Sequence, residues 1–173
     1  MKRNIVAIAL VGLSLGGTSP LWAADKLELT TRVSGVVEEV QVKPGQRVKK
    51  GTVLLRLGRT VLQAHLDEAT AEHARAQADE ADARRELDRA QELFNRTVSS
   101  TSELDAATLR HARAQANLAA AGARRAIAQK DLKDAELKAP IDGVVSALPG
   151  GPGTVVTAEC QPKTLVVLTP GRP

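Results

Sequence analysis

Three histidines, one cysteine and twenty carboxylates are the residues of this chain with the capacity for chemistry. Two histidines on neighbouring turns of a helix could share a zinc ion. His65 and His73 are eight residues apart, about 12 Å along a helix axis, which is too far for one tetrahedral ion. His111 lies in a different segment, and Cys160 is a lone thiol far from all three. One cysteine forms no intramolecular disulfide. Cys160 reads as a small packed residue near the last strand, with oxidative dimerisation as the alternative. The carboxylates between residues 67 and 105 interleave with arginines, the pattern of a solvated ion-pair face. Pro149-Gly150-Gly151-Pro152-Gly153 is glycine-rich but lacks the Lys-Ser/Thr of a phosphate loop, so it reads as a turn. No catalytic, cofactor-binding or metal residue is therefore assigned, and the chain is read as a non-enzyme. A net charge of +4 with one Trp, one Phe and no Tyr makes no case for a nucleic-acid partner.

With so few aromatics, a large globular core is not expected; a thin or elongated fold packed by small residues is. No proline occurs between Pro44 and Pro140, and Gly122 is the one glycine between Gly58 and Gly143. Breakers are thus confined to the flanks of a long Ala-, Arg-, Glu- and Gln-rich segment over residues 60–138. Its first arm carries the stripe Leu62, Leu66, Ala69, His73, Ala76, Glu80, Ala83, Leu87, Ala90, Phe94. Its second carries Leu104, Ala107, His111, Ala114, Leu118, Ala121, Arg125, Ala128, Leu132, Ala135. Alternation of three and four is the coiled-coil period. Residues 97–102 lack it and read as the turn. Ser100 followed by Glu103 has the capping-box spacing, so a second helix is expected to start there. Each arm of roughly 35 residues should project about 50 Å. The polar residues in the stripes, His73, Glu80, His111 and Arg125, are expected to snorkel to water at the seam edge, with a buried polar register device as the alternative.

The flanking segments, residues 27–58 and 139–169, resemble each other. Ser34-Gly35-Val36-Val37, Val40, Pro44-Gly45 and Val48 match Asp142-Gly143-Val144-Val145, Leu148, Pro152-Gly153 and Val156 at the same offsets. Each segment then ends in an apolar strand, residues 53–57 in one and 165–168 in the other. Two or three strands alone are marginal in water. Two such halves can cover each other as a small sandwich. They must then meet in space, and an antiparallel helical hairpin is an insert that leaves and returns at one point.

The N-terminus has the order of a secretory signal peptide over residues 1–23: Lys2 and Arg3, an apolar run from Ile5 to Leu15, breakers, then Ala23-Ala24. The apolar run is too short to span a bilayer. Export to the periplasm is expected, with an uncleaved inner-membrane anchor as the alternative. No cysteine near the cleavage region supports a lipid anchor.

Val33-Ser34-Gly35-Val36-Val37, Pro44-Gly45-Gln46-Arg47-Val48-Lys49-Lys50-Gly51 and Leu137-Lys138-Ala139-Pro140-Ile141-Asp142-Gly143-Val144-Val145-Ser146 resemble the periplasmic adaptor (membrane-fusion) proteins of RND-type tripartite efflux pumps and type I secretion systems. The resemblance covers nearly all of residues 30–169. It implies an α+β fold: a split lipoyl-like (barrel-sandwich hybrid) β-domain with an inserted long antiparallel α-helical coiled-coil hairpin. In true lipoyl domains the cofactor lysine sits on the hairpin that joins the halves; the insert replaces that hairpin here, so no cofactor is implied.

The family's hairpin tip carries Arg, then Leu four residues on, then Ser or Thr seven further on. Arg89, Leu93 and Ser100 fit, and the resemblance implies that they dock on an outer-membrane channel protein. It also implies an inner-membrane transporter as a second partner and a homo-oligomeric ring built by side-by-side lipoyl-like domains. Most family members continue into a β-barrel and a membrane-proximal domain. On that comparison the sequence reads as a minimal or C-terminally truncated adaptor. The alternative is a non-bridging scaffold or a remnant of a longer adaptor.

Overall fold

A computed structural model describes residues 26–158 and 163–171. The expected signal peptide and Cys160 lie outside the described residues. The strands are β1 (Leu27–Leu29), β2 (Gly35–Val40), β3 (Arg47–Val48) and β4 (Val53–Leu57). The helices α1 (Thr60–Asn95) and α2 (Thr101–Asp134) follow. Strands β5 (Glu136–Lys138), β6 (Gly143–Ala147), β7 (Val155–Val156) and β8 (Val166–Pro170) close the chain.

Two four-stranded antiparallel sheets form, ordered β1-β8-β6-β3 and β5-β4-β2-β7. The sequence suggests two halves that cover each other. The structure interleaves them instead: one sheet takes β1 and β3 from the first half and β6 and β8 from the second, and the other takes β2 and β4 from the first, β7 from the second and β5 from the segment just before it. The short strands are exchanged: β3 pairs with β6, and β7 with β2. The matched offsets explain why this works in both directions. Gly45 N donates to Val145 O and Gly153 N to Val37 O, each at 2.8 Å. Val145 N donates to Gln46 O at 3.0 Å, and Val37 N to Thr154 O at 2.9 Å. Gly45 and Gly153 hold φ of 85° and 83°, a region open to glycine at little steric cost. Even the residues before the Gly-Val-Val runs exchange caps: Lys50 N donates to Asp142 Oδ1 at 2.6 Å and Ala158 N to Ser34 Oγ at 3.0 Å.

The core lies between the sheets. Leu54, Leu55, Leu57, Val145, Leu165, Val166 and Leu168 are almost fully removed from solvent. The hairpin's root joins this core through Ala135 and the partly buried Leu62. Leu57 N donates to Ala135 O at 2.8 Å, which ties the point of departure to the point of return. Residues 136–138, read from sequence as the end of the hairpin, form β5 and pair with β4. Helical period gives way there to alternation of charge around Leu137, and the edge of β4 opposite β2 supplies the backbone partners.

α1 and α2 form the expected antiparallel pair, with Ala69, Ala76, Ala107 and Ala121 buried between them. Arg125 lies exposed, as expected of a snorkelling residue. Glu80 and His111 do not reach for water. His111 Nε2 and Glu80 Oε1 face each other across the seam at 3.0 Å, both largely covered. Alanine neighbours leave room for two polar side chains to meet there, so each becomes the other's partner. Arg110 to Glu86 at 2.7 Å and Arg124 to Glu72 form further rungs between the helices.

Candidate docking site at the hairpin tip

The tip is built by two helix ends of different quality. α1 ends in a Schellman-type turn: Thr97 N donates to Phe94 O at 2.9 Å and Val98 N to Leu93 O at 3.0 Å. This geometry needs a left-handed residue. Thr97 supplies it at φ 63°, a conformation costly for a β-branched side chain. α2 begins with a complete capping box. Ser100 Oγ accepts from Glu103 N, and Glu103 Oε2 accepts from Ser100 N, both at 3.3 Å. Ser99 Oγ also donates to the Glu103 carboxylate. These hydrogen bonds, Ser99 first and the Ser100 amide second, hold the Glu103 carboxyl below its ordinary value of 4.5. The box predicted at Ser100 is present, and Thr101 and Ser102, read from sequence as turn, already belong to α2.

The structure places Arg89 and Leu93 one turn apart near the end of α1, and Ser100 at the start of α2. All three are exposed. Leu93 is 43% exposed despite its size. Arg89 has no ion pair among the described residues, although its neighbours on both helices do. The Ser100 oxygen is used as a helix cap, which leaves its O–H free to donate outward. The sequence reading missed Val98, the most exposed large apolar side chain of the described residues at 73%. The hydrogen bond from Val98 N to Leu93 O brings the backbone of Val98 back to that of Leu93. A valine inside a run of Ser and Thr was the available signal. The tip thus offers two apolar side chains, a guanidinium with several donors, and a hydroxyl.

A second concavity of about 830 Å³ lies at the root, lined in part by Val36, Val61, Leu62, His65 and Val155. Val36, Val61 and Val155 are exposed there. Among the described residues no group of three or more His, Cys, Asp or Glu could hold a metal ion. No described helix is long and apolar enough to cross a membrane.

A strand-exchanged sandwich carrying an inserted hairpin is the architecture of the CzcB-like barrel-sandwich hybrid domain, whose family model matches residues 26–165. The chain belongs to this family. It is a member of the membrane-fusion, or periplasmic adaptor, proteins, which are not enzymes. The multidrug resistance protein MdtA of Pantoea ananatis is 30% identical over 159 residues, covering 92% of this chain and 38% of that relative. The uncharacterised protein YdhJ of Escherichia coli is 36% identical over 125 residues, covering 72% of this chain and 44% of the relative. This adaptor chain therefore spans less than half the length of the curated relatives it matches. The membrane fusion protein Spr0693 of Streptococcus pneumoniae shares the fold. Its TM-score is 0.63 at 18% identity, over 84% of this chain and 59% of that one.

Proposed function

We propose that this chain is the periplasmic adaptor subunit of a tripartite efflux or secretion system, exported by its N-terminal signal peptide. In this reading the hairpin tip docks on an outer-membrane channel, and the β-domain faces an inner-membrane transporter. The observation that carries the proposal is the tip: Leu93 and Val98 exposed side by side, with Arg89 and Ser100 unengaged as donors toward solvent. An apolar centre rimmed by donors suits a partner that presents helix ends and carbonyls. Exposed valines about the root concavity offer apolar contact for β-domains packed side by side in a ring. Capture of the outer-membrane channel from the same cells by the mature chain tests the docking role. Wild type should retain the channel and Leu93→Asp should lose at least about 90% of it, since burying an unpaired carboxylate at an interface centre costs several kcal/mol. Equal recovery would rule out the role given to Leu93.

A further inference from the structure

The two halves of the repeat share a turn but not its charge. Lys-Pro-Gly-Gln-Arg-Val-Lys-Lys at residues 43–50 corresponds to Gly-Pro-Gly-Thr-Val-Val-Thr-Ala at residues 151–158. The backbones match. Gln46 N donates to Lys43 O and Thr154 N to Gly151 O, each at 3.1 Å, and Gly45 and Gly153 hold the same φ to within a few degrees. Where the first turn carries Lys43, Arg47, Lys49 and Lys50, the second carries Gly151, Val155, Thr157 and Ala158. The second turn folds without a single charge, so the four cations of the first answer no need of the turn itself.

The turns lie at opposite poles of the β-domain. Val155 pairs with Val36, whose carbonyl accepts from Gly58 N at 2.8 Å beside the start of the hairpin. Lys49 and Lys50 precede β4, and it is the far end of β4 that reaches the root. Arg47 pairs with Val144, which pairs with Thr169 near the end of β8. Lys26 comes just before Leu27, the partner of Leu168, and joins the same pole. Lys26 and the four cations of the turn are all exposed, and none has an ion pair among the described residues. No carboxylate occurs in residues 40–66. The nearby Asp142 is engaged, its Oδ1 accepting from Lys50 N at 2.6 Å. The platform is also fixed: Lys43 N donates to Gln46 Oε1 at 2.9 Å and Thr52 N to Lys49 O at 3.0 Å.

Lysines are flexible point charges, and the one apolar strand residue among them, Val48, is buried. Such a surface has no shaped pocket for a single small ligand. It matches an extended layer of phosphates, where each nearby Lys or Arg adds attraction. We propose that this pole seats the β-domain on an anionic phospholipid surface. The hairpin leaves from the opposite pole, so a β-domain seated in this way points its tip away from the lipid. The inference goes beyond the docking role and stands without it.

Co-sedimentation of the mature chain with phospholipid vesicles tests it. Vesicles of mixed phosphatidylglycerol and phosphatidylcholine should retain wild type, and vesicles of phosphatidylcholine alone should not. Salt at about 1 M should release the chain, because the Debye length falls to about 3 Å. Lys49→Gln and Lys50→Gln should each weaken retention about fivefold, and together with Lys43→Gln and Arg47→Gln at least about a hundredfold. Arg75→Gln, Arg84→Gln, Arg113→Gln and Arg125→Gln remove the same charge from the hairpin, more than a Debye length from the pole, and should leave retention unchanged. No retention on the anionic vesicles, equal retention on phosphatidylcholine, or equal loss from the two sets of substitutions would overturn the proposal. Leu93→Asp should bind vesicles as wild type does. Failure of the docking role thus appears in channel capture alone, and failure of this inference in vesicle binding alone.

Discussion

In the β-domain nine leucine and valine side chains are essentially removed from water, whereas the residues buried along the length of the hairpin are four alanines. A buried Leu or Val contributes about 1.5–3 kcal/mol, and alanine much less. The exposed ion pairs along the helices add roughly 0–1 kcal/mol each. One region is a conventional core, and the other is a long lever held mainly at its root by Leu62, Ala135 and the Leu57–Ala135 hydrogen bond. The division suits the proposed docking role, in which the root persists and the arm presents a tip.

Truncation experiments should expose this difference most strongly. Leu168→Ala is expected to cost about 2–5 kcal/mol in denaturant unfolding, and Leu66→Ala in the seam about 1 kcal/mol. Equal losses would break the contrast. Within the β-domain the two halves can be set against each other. A Cβ at Gly143 would come within 2.5 Å of Thr169 O, whereas at Gly35 it would meet Leu57 Cβ at an ordinary 3.6 Å. Gly143→Ala should therefore cost about 1–3 kcal/mol, and Gly35→Ala well under about 1 kcal/mol, although the two glycines are equivalent in the repeat.

At the tip the sign reverses. Thr97→Gly should raise stability by about 0.5–1 kcal/mol, because glycine accepts the left-handed turn without steric cost. A neutral or destabilising result would mean that the Schellman turn is not held in solution. The smallest effect is on pH. Glu103 has a folded pKa below its ordinary 4.5, so its contribution to the α2 cap is present above that ordinary value and fades as pH falls through the lower folded one. Amide protection at residues 100–103, exchange taken relative to the intrinsic rate at each pH, should fall over that acid range in wild type and stay flat in Glu103→Gln, which keeps a capping-box acceptor.

The helical stripes were legible because their period is local. All but Arg125 of the residues on the two lines are buried or partly buried. The capping box at Ser100 is equally local. Strand exchange was not legible: an internal repeat looks the same whether its halves stack or trade strands, and only the long-range pairings of β3 with β6 and β7 with β2 decide. The Glu80–His111 contact depends on the register between two helices, and Val98 on a backbone turn that a threonine does not advertise.

Channel affinity measured alongside melting temperature for Leu93→Asp and Leu168→Ala tests the central division most directly. Leu93→Asp should lose channel binding with an unchanged Tm. Leu168→Ala should lower Tm by several degrees and bind normally while folded. A tip substitution that leaves binding intact, or a core substitution that abolishes it well below its Tm, would rule out this division between tip and core.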